Sequence, residues 1–321
     1  MASKKYTLLA GFLCLLASTG FSQRVGASYD VKDTSLVPSK RLPQHSEFLN
    51  GTNNFPAKPR NQWELGVKFG AFNVSGDVPS VFPTGGFGLH VRKAFGYIFS
   101  LRAEYMYGTG KGLDWLYNEN YGKNSAWTSN GYSAPFRTPS GQIISQLANL
   151  GGPNAPLEHV FYNYKTKVQD LSIEGVVTLN NIRFHKSKTG FNLYGIAGVG
   201  GTIYDTHVNA LNGQSKYNFQ SLGNGTYKDR KSTLKALRNL LDDSYETPAE
   251  NQGTRRPKLF GNTFKPSGTL GLGVAFKVSN RVNIAIEERH SFVKDDLLDG
   301  QRWQESAWGD ATLTRDYDSY N

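Results

Sequence analysis

Trp63-Glu64-Leu65-Gly66-Val67-Lys68-Phe69-Gly70-Ala71 carries an apolar side chain at every odd position and a charge or glycine at every even one. Successive side chains of a β-strand point to opposite sides of the sheet, so a period of two marks a strand whose faces meet different surroundings. The same period returns along the chain. Phe87, Leu89 and Val91 alternate with Gly88, His90 and Arg92, and after a turn at Phe95-Gly96, Phe99 to Tyr107 alternate with Ser100, Arg102, Glu104 and Met106. Further strands are predicted at about Val168–Leu179, Phe191–Tyr204, Leu270–Val278 and, after a turn at Ser279-Asn280, Val282–Phe292. Seven strands are visible.

The segments between them run medium, short, long, short, long, short. Residues 109–165 and 205–263 are the long ones, and loops of that length are foreign to an ordinary compact domain. Long connections on one side and tight turns on the other describe an up-and-down antiparallel barrel of the transmembrane kind. In the second long loop, Leu234, Leu237 and Leu241 share one face of a short amphipathic helix, expected to cap the barrel mouth.

The polar faces hold Glu64, Lys68, Arg92, Arg102, Glu104, Glu174, Glu287 and Arg289. Buried charges cost several kcal/mol each unless paired, and this set carries both signs. A soluble ligand-binding barrel needs an apolar lumen instead. The alternation therefore predicts lipid outside and a paired lumen charge network of these eight residues inside. Arg102 and Glu104 are expected to neighbour opposite charges from adjacent strands, among Arg92, Glu174, Glu287 and Arg289. Trp63, Tyr105, Tyr107 and Phe292 suit an interfacial aromatic girdle.

At the N-terminus, Lys4 and Lys5 precede an apolar run from Leu8 to Ala17 and small residues to Ser22. This pattern predicts a signal peptide over residues 1–23 and export to an outer membrane. Residues 24–60, with Pro38, Pro43, Pro56 and Pro59, read as a flexible lead-in to a barrel domain over 61–321. Mean hydropathy is −0.48, and no later apolar run reaches the length of about 20 residues that a membrane helix needs.

Cys14, the only cysteine, lies in the apolar run, so the mature chain is expected to hold no disulfide, catalytic thiolate or cysteine-ligated metal. The formal charge of +10 falls to +8 without Lys4 and Lys5, since residues 1–23 hold no acid. The cations are dispersed rather than clustered, which argues against nucleic acid and for anionic lipid or lipopolysaccharide. Gly198-Val199-Gly200-Gly201 sits in a strand with no following Lys-Ser or Lys-Thr, so it is no phosphate loop. The six histidines show no metal-ligand spacing, and Asp295, Asp296 and Asp299 do not match a calcium loop. His290 near Asp295 is the one pairing a hydrolase at the barrel rim could use, and no nucleophile stands beside it. No catalytic, cofactor-binding or metal residue is assigned, and no cofactor is expected.

The strand Gln62–Ala71, the segment Tyr194-Gly195-Ile196-Ala197-Gly198-Val199-Gly200, and Glu287–Trp303 with Asp296-Leu297-Leu298-Asp299-Gly300 resemble the N-terminal barrel of OmpA-like outer-membrane proteins. The resemblance covers about residues 60–321. It implies an eight-stranded barrel with a structural, envelope-anchoring role, without enzymatic activity, whose loops are available for adhesion. Many members carry a C-terminal peptidoglycan-binding domain. It is absent from this sequence, so peptidoglycan is a partner only where such a domain exists. A small porin and a rim hydrolase are the other functions the pattern leaves open.

Residues 293–319 read as a polar loop with Trp303 and Trp308, and too few residues then remain for a spanning strand. The eighth strand is therefore expected to be missing. Either a gap separates strands one and seven, or the 24–60 segment fills it.

Overall fold

A computed structural model describes residues 31–80, 84–119, 121–122, 124–134, 136–137, 143–144, 158–182, 191–222, 227–250, 257–278, 282–301 and 319–320. The signal segment 1–23, residues 24–30 of the lead-in, the Ser279-Asn280 turn and the loop holding Trp303 and Trp308 lie outside the described residues.

Every alternating stretch is a strand. The seven long strands are β1 (Gln62–Phe72), β2 (Thr84–Ala94), β3 (Phe99–Asn118), β4 (Val160–Thr178), β5 (Phe191–Val208), β6 (Asn262–Lys277) and β7 (Asn283–Val293). Each pairs antiparallel with the next, giving an all-β meander. The two-residue strand Ser319–Tyr320 pairs with Ser291 and Phe292 of β7 and with Val74–Ser75, just past β1. The sheet is not closed: among the described residues, β1 and β7 share no backbone pairing. It curls far enough, however, for Lys68 of β1 to reach Glu287 of β7.

Four strands run well beyond their alternating stretches. β3 continues to Asn118, β4 starts at Val160, β5 extends to Val208 and β6 starts at Asn262. The long connections are therefore 119–159 and 209–261 rather than 109–165 and 205–263. At this end of the sheet the connections pack over the strands, so both faces are covered and the period of two fades. Val160, Phe161, Tyr162, Tyr164, Trp127, Phe219 and Leu237 are all buried here, in an apolar core that also takes in Phe72 and Val74. Gly112 leaves room for the Tyr164 ring, because a Cβ at that glycine would lie 2.0 Å from the ring.

The amphipathic helix is Arg230–Leu240, α2, after a shorter α1 at Leu42–Leu49; Leu237 is buried in the same core, with Leu234 and Leu241 packed against it. The lead-in differs from its reading as a flexible segment. It contains the helix α1 (Leu42–Leu49), with Pro43 in the first turn, where a missing N–H costs nothing. Val31 and Phe48 pack with Ala94 and Tyr97 beside the β2–β3 turn, and Arg60 N–H donates to Leu36 O at 2.7 Å. Four scattered prolines hide this in the sequence, since the helix is short and mostly polar.

Candidate functional site

The two faces of the sheet are inverted relative to a water-soluble protein. Leu65, Phe69 and Val199 are 79%, 83% and 72% exposed, whereas Arg102, Glu104 and Glu174 are 2%, 2% and 0% exposed. Strand register sets this arrangement. Arg92 stands opposite both Glu64 and Arg102, and Arg102 stands opposite Glu174, so one row of charges crosses four strands.

Arg102 is the hub. Its Nε lies 2.6 Å from Glu174 and 3.1 Å from Glu104, and its Nη1 donates to Glu287 at 2.8 Å. Arg289 donates to Glu104 at 2.6 Å and also binds Asp170. Lys68 bridges Glu104 and Glu287. Tyr194 adds a hydroxyl to Glu287 at 3.0 Å, and Ser172 one to Glu174 at 2.9 Å. Glycines on the same face leave space for these long side chains: a Cβ at Gly198 would meet Glu174 Cγ at 2.6 Å.

Of the eight residues named from the sequence, Lys68, Arg102, Glu104, Glu174, Glu287 and Arg289 form this one cluster. Glu64 and Arg92 form a second, looser pair at 3.4 Å, with His90 Nε2 3.7 Å from Glu64. Arg92 is thus a partner of Glu64. The sequence reading missed Asp170, which is 1% exposed and accepts from Arg289, Thr202, Ser267 and Tyr320. Parity could have found it, since Leu171 and Ile173 face outward and so place Asp170 on the face of Glu174.

A cavity of about 640 Å³ adjoins the cluster, lined in part by Glu64, Lys68, His90, Arg92, Tyr194 and Glu287. Every carboxylate of the cluster accepts from at least one cationic side chain of another strand. Among the described residues no group of histidine, cysteine and acid side chains could hold a metal ion.

No known protein family matches the chain, and no curated protein matches it.

His290 and Asp295 serve different partners. His290 Nε2 lies 2.9 Å from Ser319 Oγ, and Asp295 accepts from the Tyr204 hydroxyl and sits 3.5 Å from Lys265. Asp299 accepts from the backbone N–H of Val78 at 2.9 Å and of Gln301 at 3.0 Å, pinning the segment after β7 to the one after β1. Burial, with Asp77 close by, pushes the Asp299 carboxyl up to about 7. Gly198 to Gly201 lie inside β5, as strand residues.

Proposed function

We propose that this chain is an outer-membrane β-barrel of the eight-stranded, OmpA-like type, with a structural role in the envelope and loops available for adhesion. The observation that carries this reading is the inversion of the sheet: apolar side chains outside, paired charges inside. In water, so many exposed apolar residues on one continuous face would be an aggregation hazard. In lipid the same face is the buried one, and the ion pairs inside are shielded from it. Residues 63–71 of β1 extend about 26 Å along the strand, or about 20 Å along a barrel axis at a tilt of about 40°, close to the roughly 25 Å apolar band of such barrels. Trp63 and Phe292, exposed near strand ends, fit its aromatic edges.

The cluster places both signs of charge on the inner face, which favours a structural barrel over a small porin. The basic balance suits anionic lipid and lipopolysaccharide around the barrel. The protein is expected to partition into membranes, to resist extraction by alkali, and to migrate differently in gels before and after heating. In planar bilayers it should give no steady current. Recovery in the soluble fraction would refute the membrane reading, and large stable single-channel currents would replace the structural role with transport.

A further inference from the structure

Two rows of the outward face lie just beyond the apolar band, at the end of the long connections. In the farther row Lys111 of β3 stands directly opposite Lys165 of β4, and Lys165 opposite His207 of β5. In the nearer row Thr109 stands opposite Lys167, and Lys167 opposite Asp205. Parity puts all three lysines outside. Leu101, Leu171 and Ile173, on the same odd positions, are 42%, 63% and 59% exposed, and the register of β3 with β4 is unbroken from Phe99 to Leu113. Like charges directly opposite on one face destabilise a strand pair, so strand stability does not account for Lys111 and Lys165.

The lysines are held in place. Lys111 and Lys165 both lie over the Tyr245 ring, with Nζ 5.0 and 5.7 Å from its centroid. Tyr245 has a φ of 50°, in the left-handed region that a bulky residue rarely adopts, so costly backbone seats this ring. Asp243 lies 3.8 Å from Lys111, but its side chain is 71% exposed, and solvent weakens such a pair. Asp205 lies 3.5 Å from His207 Nδ1. Among the described residues no carboxylate forms an ion pair with Lys165 or Lys167.

Depth fits an amphiphile. At about 2.5 Å along the axis per residue of a tilted strand, Lys167 stands about 10 Å beyond Leu171, and Lys111 and Lys165 about 15 Å beyond it. Tyr107, opposite Gln169, lies between. The polar interface of a bilayer is about 5–8 Å thick on each side, so the lysines reach headgroup level. Below them Leu171, Ile173 and Val199 form an exposed apolar wall, with Val199 opposite Ile173.

We propose that Lys111, Lys165 and Lys167 bind the phosphate groups of one lipopolysaccharide molecule, whose acyl chains lie along Leu171, Ile173 and Val199. The inference rests on the membrane reading above and adds a fixed lipid at a fixed place. The ammonium groups supply point charges for phosphate, and the wall selects a lipid over a free phosphate ion. Cations in two rows about 5 Å apart suit a lipid with more than one phosphate.

The test immobilises the refolded full chain in dodecyl maltoside micelles and titrates it with deep-rough lipopolysaccharide. One variant combines Lys111→Gln, Lys165→Gln and Lys167→Gln. A second removes the same charge elsewhere, through Lys228→Gln, Lys231→Gln and Lys235→Gln. A third keeps the charge with Lys111→Arg, Lys165→Arg and Lys167→Arg. The first should raise the half-saturating concentration by at least about tenfold, and the other two should change it by less than about twofold. Enzymatically dephosphorylated lipopolysaccharide should bind the unaltered chain as weakly as the intact lipid binds the first variant. Neither inorganic phosphate nor phosphatidylglycerol should displace the intact lipid. The proposal is overturned by a smaller effect in the first variant, by equal weakening in the first two, by undiminished binding after dephosphorylation, or by displacement with either competitor. The dephosphorylation arm uses the unaltered chain and so decides even where a variant does not fold. Flotation of the unaltered chain with phosphatidylcholine vesicles tests the membrane reading separately. Flotation with a negative binding result overturns the site alone, and failure to float removes both.

Discussion

Lys68 and Glu287 are 219 residues apart in the chain, and their side chains meet at 2.5 Å across the seam where the backbones of β1 and β7 do not pair. Glu287 also takes Arg102, which takes Glu174, so a chain of ion pairs links β7, β3 and β4 through the interior. The curl of the sheet is thus held from within by side chains as well as by the ladders between neighbouring strands.

Removing one member of this cluster should expose its cost. Arg102→Met leaves Glu174, Glu104 and Glu287 buried without their central cation, and a loss of about 3–5 kcal/mol is expected. Unfolding by urea in detergent micelles measures it. The double change Arg102→Met with Glu174→Gln should recover part of the loss, because it removes one of the stranded charges. A loss below about 1 kcal/mol would show that the cluster is solvated.

The outward face gives an independent check on the membrane reading. Ile173 is 59% exposed, so in water Ile173→Arg should change stability by no more than about 0.5 kcal/mol. Facing lipid, the same change should cost about 2–4 kcal/mol near mid-depth. Folding titrations in phosphatidylcholine vesicles distinguish the two values.

Leu237 ties α2 to the core beyond the end of the sheet. Its side chain is fully buried, and Leu237→Ala should cost about 2–5 kcal/mol through lost contacts and the cavity left behind. Limited proteolysis should then cut within 209–261 first, while the paired strands stay intact.

Asp299 predicts a pH dependence. Its carboxyl titrates near 3.8 when unfolded and near 7 in the folded chain, so between these values the folded state holds more protons. Its contribution to stability is complete below the unfolded value and is lost as pH rises through about 7. Thermal unfolding followed from pH 4 to pH 8 should show a decline that Asp299→Asn flattens. An unchanged slope in that variant would assign the dependence elsewhere.

The residues of β1 to β7 declare themselves because each face meets one environment. Alternation at Trp63–Ala71 settles both strand and facing, and parity alone puts Arg102, Glu104, Glu174, Glu287 and Arg289 on one side. Where both faces are packed, as at Val160–Tyr164, the local pattern vanishes and the strand ends cannot be read. Which charges pair is likewise not local. Arg92 turns to Glu64 and Arg102 to Glu174 and Glu287 because register and curl decide the distances. Asp170 acquires its role from Arg289, Thr202, Ser267 and Tyr320, four residues on other strands. The seating of Ser319–Tyr320 depends wholly on two edges more than 200 residues apart that the curl brings to either side of it. Period and parity are properties of a few successive residues and so are written in the sequence. Pairing across the interior and the seam depends on how the whole sheet bends, and only the tertiary structure decides it.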